Sequence, residues 1–532
     1  MNRHVDAPNR HSPSTTALGV WLGAVAAVAL VGATAVAGDG QADAFIIDNA
    51  APSGDLGPSF DATLDRMSRF PGGVSGVLLP GDWADRLLDD PSLAARLGRT
   101  FAFGRDGAAD AAAFYDWLGL TRMRSDADAA GEAVGAYTVD TEWGPGLTFG
   151  CAACHSHNFF GTLVFGMGNK AARANLVFIR AKDYLQHAPM ALLQPADSDE
   201  AALLRRTQTR LQSVGVRRPQ ALGLDTSLAQ VSLSLARRKL DPTATLSAVY
   251  AARPRPDPFD EAIADSKPMD WWAIRYKDRW LSDGALTHGS FVLINFLVNE
   301  IGRGTDLVAL GDWLAVNQDV VDDFTRFVLA SEAPRIEDFL PDAVDAAAAR
   351  RGERHFLANC AGCHGVYRKD WSTGHRTIAV DYPRPTPVRD VGTDPNRARG
   401  MDYLATRLNR LAISRQYGVV LEPTDGYVPP PLVGVWSRYP YLHNRSVPNL
   451  CELLKPEAER VDSYYVGTTV TIATDFDRAC VGYPTVDVPH AWKTRERLYR
   501  TGWTGLSNDG HNMFIDAAES DKRDLIEFLK TL

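Results

Sequence analysis

The sequence predicts a mainly α-helical fold, and three observations carry that prediction. Apolar residues recur at helical spacing in two long segments, Phe291–Ile301 and Leu307–Ala330, as is typical of core helices. An alanine-rich stretch from Asp342 to Ala358 favours a further helix. The end of the chain carries an apolar stripe at positions 525, 528, 529 and 532. Segments rich in glycine and proline separate these stretches and predict loop-rich insertions.

Length and composition are those of a globular protein with several domain-sized units. The chain has 532 residues, of which 45% are hydrophobic and 23% are charged, so large cores can be buried. The formal net charge is −9. Because this balance is acidic, we expect no nucleic-acid partner that binds through a basic surface.

The N-terminus indicates export. Arg3 and Arg10 precede an uncharged, mostly apolar run from Ala17 to Ala37, and small residues at alternate positions follow up to Ala44. This order predicts that residues 1–44 are a signal peptide or an N-terminal membrane anchor, and both alternatives remain open. We therefore expect a periplasmic or extracellular protein that contacts the membrane only through this segment.

The pattern C-x-x-C-H occurs twice, at Cys151–His155 and at Cys360–His364. In this pattern two thiols add to the two vinyl groups of one haem, and the adjacent histidine binds the iron. A zinc site or a dithiol redox pair is the alternative, but neither requires a histidine directly after the second cysteine in both motifs. The sequence thus predicts two covalent haem c groups, bound by Cys151, Cys154, His155, Cys360, Cys363 and His364.

The two remaining cysteines, Cys451 and Cys480, form an even pair. In an oxidising compartment such a pair indicates a disulfide. Two buried free thiols are the alternative.

The surroundings of the second motif resemble a cytochrome c domain. Gly352, Phe356 and Cys360 fall four residues apart and share one helix face, as in the first helix of that fold. Ser520 is expected to cap the terminal helix, which resembles the helix that crosses the first one. We therefore predict a C-terminal cytochrome c domain over residues 341–532.

Residues 45–340 then form an N-terminal haem domain with an insertion. The segment Trp143–Cys151 is rich in glycine and contains proline, so we expect a loop to lead into the first motif. Together the segments predict two cytochrome-c-like haem domains with loop-rich insertions.

Several short matches resemble the bacterial di-haem cytochrome c peroxidase superfamily. They are Gly166-Met-Gly-Asn169 after the first motif, Trp271-Trp272-Ala-Ile-Arg-Tyr-Lys277, Pro440-Tyr-Leu-His443-Asn-Arg445-Ser-Val-Pro-Asn-Leu450, and Gly510-His511 before the terminal helix. The length of the chain makes it similar to the larger, rubber-oxygenase-like members. Arg445 is a departure, because the family usually has glycine there.

The resemblance implies that one haem transfers electrons while the other, with an open sixth position, binds peroxide or dioxygen. For the second haem, His511 is the expected distal ligand and His443 the runner-up, placed near a haem propionate. Met513 is a further candidate. For the first haem no distal ligand stands out, because His157 lies too close to His155, and His187 and His288 could reach the iron only if the fold brings them there. We therefore expect the first haem to be the open one.

Trp271 and Trp272 are the candidate catalytic residues, near the N-terminal haem or between the two haems. An indole there could mediate electron transfer, although two large core residues are the plain alternative. Arg275 and Lys277 could pair with haem propionates or lie on a solvated face.

The preferred function is a periplasmic di-haem oxidoreductase. The alternatives are a non-catalytic electron-transfer cytochrome and a dioxygenase of an apolar polymer or lipid. The expected electron donor is a small redox protein or a quinol-linked donor. Calcium is possible in this group, but the sequence shows no clear carboxylate cluster for it.

Overall fold

The computed structural model describes residues 46–48, 67, 69–71, 76–92, 99–100, 110–125, 128–372 and 374–532, with the backbone alone at 46–48 and 122–132. The predicted signal peptide or anchor lies outside these residues. Residues 45–532 form one compact unit. Within the described part of the chain, no helix is both long and apolar enough to cross a bilayer.

The fold is mixed: among the described residues, 42% are helical and 13% are in strands. The helices are α1 Gly81–Asp89, α2 Ala111–Leu118, α3 Ala174–Arg180, α4 Met190–Leu193, α5 Ser198–Gln212, α6 Ser227–Ala236, α7 Ala248–Ala252, α8 Phe291–Gly302, α9 Leu307–Val316, α10 Gln318–Ala330, α11 Ile336–Phe339, α12 Ala346–Asn359, α13 Ala361–His364, α14 Asn396–Asn409, α15 Ala412–Gln416, α16 Leu450–Leu453, α17 Ile472–Asp475 and α18 Glu519–Lys530.

The strands form small antiparallel sheets. They are β1 Ile46–Asp48, β2 Leu79–Pro80, β3 Arg122–Ser125, β4 Asp128–Ala133, β5 Ala136–Thr141, β6 Gly144–Phe149, β7 Ser156–Phe159, β8 Thr162–Phe165, β9 Leu286–His288, β10 Val366–Asp370, β11 Arg376–Asp381, β12 Val420–Leu421, β13 Ser463–Tyr465 and β14 Leu498–Arg500. Two of the sheets have three strands each, in the orders β1-β8-β7 and β2-β6-β5. They flank the first C-x-x-C-H motif, which lies between β6 and β7.

Three local predictions were wrong. The expected loop before Cys151 is strand β6, which pairs along its whole length with β5 despite Gly144, Pro145 and Gly146. Ser520 does not cap α18, because the helix begins one residue earlier and its N-cap position is Ala518. The predicted helix over 307–330 is broken at Asn317 into α9 and α10.

A first core surrounds helix α8. Residues from α6, α8, α9 and α10 pack together there with Trp271, and so do residues from α14, α15 and β12, which come from beyond position 400. The core draws on distant parts of the sequence because α14 packs across α6, where Gly400 lies close to Leu228.

A second core lies around helices α12 and α18. Phe356, Trp436 and Phe528 are at its centre, and Phe159 and Val164 from the segment after the first motif join it. Both cores therefore contain residues from each side of position 340, where we predicted the domain boundary; that boundary stays a prediction.

Helices α12 and α18 cross at a glycine. A Cβ atom on Gly352 would lie 1.9 Å from the carbonyl oxygen of Asp524, so only glycine permits this approach. One turn further on, the rings of Phe356 and Phe528 pack with their centroids 5.1 Å apart. Arg351 donates to both carboxylate oxygens of Asp524 at 2.6 Å. The spacing of Gly352 and Phe356 before Cys360 thus brings the second motif to the end of a closely packed helix pair.

Cys451 and Cys480 form a disulfide, with Cα atoms 5.0 Å apart and a sequence separation of 29. Replacing both residues with alanine is expected to lower the free energy of unfolding by about 3–4 kcal/mol, because the unfolded chain regains the freedom of that loop. Denaturant unfolding without reductant measures the loss, and reductant added to the unmodified protein should give a similar one. An unchanged midpoint in both cases would contradict the prediction.

Glu300, near the end of α8, is a fully buried carboxyl. Thr305 Oγ1 donates to its Oε2 at 2.5 Å, and burial raises its pKa from 4.5 to about 7 in spite of the nearby Arg303. The folded state therefore holds this proton more tightly than the unfolded state, so stability falls as the pH rises from 4.5 to about 7.

Glu300→Gln is expected to remove this part of the pH dependence and to raise stability at pH 8 by up to roughly 3 kcal/mol. Denaturation midpoints measured on both proteins across this range test it. A variant that loses as much stability as the parent between pH 5 and about 8 would refute the assignment to Glu300.

Candidate functional site

The first motif forms a short 3-10 turn at Cys151–Ala153. The backbone N–H groups of Cys154 and His155 both donate to the carbonyl of Cys151, at 3.2 and 3.1 Å. The β4–β5 turn packs against it so closely that a Cβ on Gly135 would lie 2.1 Å from the nitrogen of Ala153. The β4–β5 turn thereby holds the 3-10 turn of the motif in place, and both of its cysteines are half-buried.

The His155 imidazole is fixed by a backbone carbonyl. Its Nδ1 lies 2.8 Å from the carbonyl oxygen of Met269, to which it donates a hydrogen bond. Burial lowers the pKa of His155, so the ring is neutral at pH 7. Because Nδ1 carries the proton, Nε2 is left as an unprotonated nitrogen that can bind a metal ion.

The second motif follows helix α12 directly. Cys360 ends that helix, and the N–H groups of Cys363 and His364 both donate to its carbonyl, at 3.1 and 3.0 Å. The phenol of Tyr367 donates to the carbonyl of His364 at 2.9 Å. The motif is therefore part of a short helical turn, α13, rather than of a free loop.

His364 repeats the arrangement of His155. Its Nδ1 donates to the carbonyl of Pro430 at 2.8 Å, and burial lowers its pKa to about 4. Pro430 belongs to the proline run Pro429–Pro431. A histidine that binds a metal ion usually donates its other ring N–H to such a carbonyl, which fixes the tautomer.

The structure brings His511 to His364. The two ring centroids are 6.2 Å apart, and the rings are inclined at 53°. A metal ion held between two imidazoles separates the ring centres by roughly 6 Å, because each metal–nitrogen bond is about 2 Å long. Nδ1 of His511 is buried and has no hydrogen-bond partner among the described residues. The pair therefore fits an iron with a histidine on each side.

His443 lies elsewhere. Its ring stacks on Tyr427 with centroids 3.9 Å apart, and burial lowers its pKa to about 3. Met513 is 44% exposed. Of the three distal candidates, His511 alone has a ring contact with His364 among the described residues.

The remaining histidines named for the first haem do not gather there. His157 is buried and bonded to Thr469 through Nε2 at 2.9 Å, while His187 and His288 are exposed. None of these three histidines has a ring contact with His155 among the described residues.

The two tryptophans diverge. Trp271 lies beside His155, with ring centroids 5.4 Å apart, and belongs to the first core. Trp272 belongs to the second core, donates Nε1–H to Val433 at 3.0 Å, and borders a cavity of about 280 Å³. Only Trp271 touches a motif histidine, so the two residues cannot share one role.

Lys277 faces inward, whereas the Arg275 side chain is partly exposed. Lys277 is 4% exposed, and burial lowers its pKa to about 7, so it is not on a solvated face. Arg275 donates to the carbonyl of Ser331. Arg275 is therefore held by protein groups, and a carboxylate partner such as a haem propionate would suit the desolvated Lys277.

Three of the motif thiols are unsuited to dithiol redox chemistry. Burial raises the pKa of Cys151 and Cys360 to about 11 and that of Cys154 to about 12. A cysteine that attacks a disulfide needs a lowered pKa instead. These thiols therefore fit haem attachment better than a dithiol redox pair.

One group of metal-ligand type occurs among the described residues outside the motifs: His355, Asp521 and Asp524. Both oxygens of Asp524 already accept from Arg351. The group is therefore a helix-pair contact, and it gives the calcium prediction no support.

Sequence reasoning missed the groups that hold the histidines. The carbonyls of Met269 and Pro430 lie 114 and 66 positions from the histidines they accept from, and a backbone carbonyl has no sequence signature. Arg445 was noticed only as a departure from glycine. It has a positive φ of 63°, a conformation that favours glycine, and its guanidinium donates to the carbonyls of Asn169 and Lys170 at 2.8 Å.

Comparison with known proteins places one segment in a family. Residues 426–465 match the family described as RoxA-like, cytochrome c-like. The chain contains a cytochrome c-like domain. This match includes Pro430, which holds His364, and the Pro440–Leu450 segment.

Two proteins of Sinorhizobium fredii (strain NBRC 101917 / NGR234) are similar to the chain. Uncharacterized protein y4iJ is 25% identical over 482 residues, which cover 73% of this chain and 76% of that protein. Uncharacterized protein y4iM is 30% identical over 245 residues, which cover 36% of this chain and 50% of that protein.

Proposed function

We propose that the chain is an exported di-haem c-type cytochrome whose C-terminal haem transfers electrons and whose N-terminal haem activates peroxide or dioxygen. One observation carries the proposal. Each C-x-x-C-H histidine donates Nδ1–H to a backbone carbonyl at 2.8 Å and so keeps Nε2 for a metal ion. The RoxA-like, cytochrome c-like match next to the second motif supports it.

The C-terminal site is built for electron transfer. Cys360 and Cys363 would hold the porphyrin by thioether bonds, and His364 and His511 would both hold the iron. Haem iron exchanges single electrons, and it also binds peroxide or dioxygen where a sixth position is open. His511 would close that position here, as the 6.2 Å between the two ring centroids favours.

The N-terminal site would differ in access. Cys151, Cys154 and His155 would hold the second haem. No imidazole among the described residues makes a ring contact with His155 like that between His511 and His364. Trp271, beside His155, would pass electrons to this site, and Trp272 would fill the second core.

A second candidate function is an oxygenase of an apolar polymer or lipid. The RoxA-like match at residues 426–465 supports this function. The length of the chain, which resembles that of the larger, rubber-oxygenase-like cytochromes, supports it as well. It uses the same open N-terminal site with dioxygen in place of peroxide. A pure electron carrier would instead need two fully ligated irons.

The export signal at residues 1–44 would place the protein in the periplasm or outside the cell. A small redox protein or a quinol-linked donor would then supply electrons.

The test is production of the full chain in a host with haem c maturation machinery. The intact mass should show two haems, and the paired variants Cys151→Ala/Cys154→Ala and Cys360→Ala/Cys363→Ala should each lose one. Optical and electron paramagnetic resonance spectra should then show one low-spin iron and one that reacts with peroxide or dioxygen. Protein without haem would refute the proposal, and two unreactive low-spin irons would leave an electron carrier.

A further inference from the structure

An ion pair connects the two loops that hold the motif histidines. Nε of Arg438 donates to Oδ2 of Asp270 at 3.0 Å. The side chains are only 10% and 6% exposed, so both charges are almost completely buried. A buried pair of this kind gains little net stability, and its presence calls for another reason.

Asp270 belongs to the His155 side. It follows Met269, whose carbonyl accepts from Nδ1 of His155. Its Oδ1 accepts from the backbone N–H of Gly168 at 2.9 Å. The next residue, Asn169, donates its N–H to the carbonyl of Cys154 at 2.9 Å. Asp270 therefore fixes the histidine-binding carbonyl and the backbone of the first motif relative to each other.

Arg438 belongs to the His364 side. Its Nη1 donates to the carbonyl of Pro431 at 2.6 Å. Pro431 directly follows Pro430, whose carbonyl accepts from Nδ1 of His364. The guanidinium of Arg438 thus binds the carbonyl of Pro431, whose neighbour Pro430 orients His364. It also binds the carboxylate of Asp270, whose neighbour Met269 orients His155.

We propose that the Asp270–Arg438 pair couples the two haem sites by positioning both proximal histidines and by setting the charge behind each of them. This inference rests on the proposed function, because it requires a haem at each motif. Asp270 and Arg438 are positioning residues, since they act on the irons through the histidines and touch neither ring.

The Asp270–Arg438 ion pair is not required to hold residues 437–440 in place. Lys170 donates to the carbonyls of Ser437 and Tyr439 at 2.7 and 2.6 Å. Lys267 donates to the carbonyls of Arg438 and Pro440 at 3.2 and 3.0 Å. The buried Lys170 and the partly buried Lys267 therefore already hold residues 437–440, without the guanidinium of Arg438.

The experiment is a redox titration of both haems in the full chain, with Asp270→Asn and Arg438→Gln. A negative charge nearby stabilises ferric iron, and a positive charge stabilises ferrous iron. Asp270→Asn leaves Arg438 uncompensated and should raise both midpoint potentials. Arg438→Gln leaves Asp270 uncompensated and should lower both. Asn keeps an oxygen for the N–H of Gly168, so the first loop should remain in place.

The control is another ion pair, in which the carboxylate is buried and the guanidinium is 34% exposed. Arg407 donates to Asp257, whose side chain is fully buried and also accepts from Ser232. Neither residue contacts a motif histidine or a carbonyl bonded to one. Asp257→Asn should therefore leave both potentials close to those of the parent protein.

Opposite shifts in the two variants, each seen at both haems, would support the coupling. A shift confined to one haem, the same direction in both variants, or equal shifts in the Asp257→Asn control would overturn it. Each variant has its own expected direction, so either one decides the question if the other fails to fold. A parent protein without two haems would refute the proposed function, whereas unmoved potentials in a two-haem protein would refute only the coupling.

Discussion

Gly352→Ala is expected to lower the free energy of unfolding by at least about 2 kcal/mol, because the added methyl group cannot be accommodated. Its carbon would lie 1.9 Å from the carbonyl oxygen and 2.5 Å from the carbonyl carbon of Asp524. These are backbone atoms, so no side-chain rotation relieves the overlap, and α12 and α18 must move apart. Since α12 ends at Cys360, we also expect less haem at the second motif.

The chain provides a matched control for this experiment. Gly311 lies within helix α9, and a Cβ there would meet no atom within 4 Å. Gly311→Ala should therefore raise stability by roughly 0.5–1 kcal/mol, as alanine does within an open helix. Denaturant unfolding followed by circular dichroism compares the two variants. Similar midpoints for both would show that the helices are not in contact at Gly352.

His511→Ala is expected to convert the C-terminal iron from low spin to high spin and to let added cyanide or imidazole bind there. The reason is the loss of the second imidazole, whose ring centroid lies 6.2 Å from that of His364. Electron paramagnetic resonance and the optical spectrum of the oxidised protein report the change. Added imidazole should restore the low-spin signal, because it fills the space that the side chain left.

His443→Phe separates this role from that of the runner-up. Phenylalanine preserves the stacking on Tyr427, so the variant should fold and keep a low-spin C-terminal iron. If His443→Phe changed the spin state and His511→Ala did not, the two histidines would exchange roles. If neither changed it, another residue would be the sixth ligand.

Several features of the fold and of the candidate site could be predicted from local sequence patterns. The two C-x-x-C-H motifs predict their own haem ligands, because attachment requires two thiols and a histidine at fixed spacing; these ligands stay a prediction. Gly352 and Phe356 indicated a helix face, and the structure shows what that face packs against. The even pair of remaining cysteines pointed to the bond that Cys451 and Cys480 form.

Other features depend on partners that the sequence does not mark. Strand β6 contains Gly144, Pro145 and Gly146, which locally favour a loop, but pairing with β5 and β2 outweighs that preference. Ser520 has a capping side chain, yet the helix begins before it. Asp270 and Arg438 lie 168 positions apart, so neither could be recognised as half of a pair.

The exchange of segments between the two cores has a consequence for dissecting the molecule. A fragment that ended at residue 340 would lack Met401, Leu404 and Leu408, which complete the apolar packing around α6 and α8. The complementary fragment would lack Phe159 and Val164. Each half produced separately would expose an apolar surface to water and aggregate. Only co-production of both halves would give soluble protein.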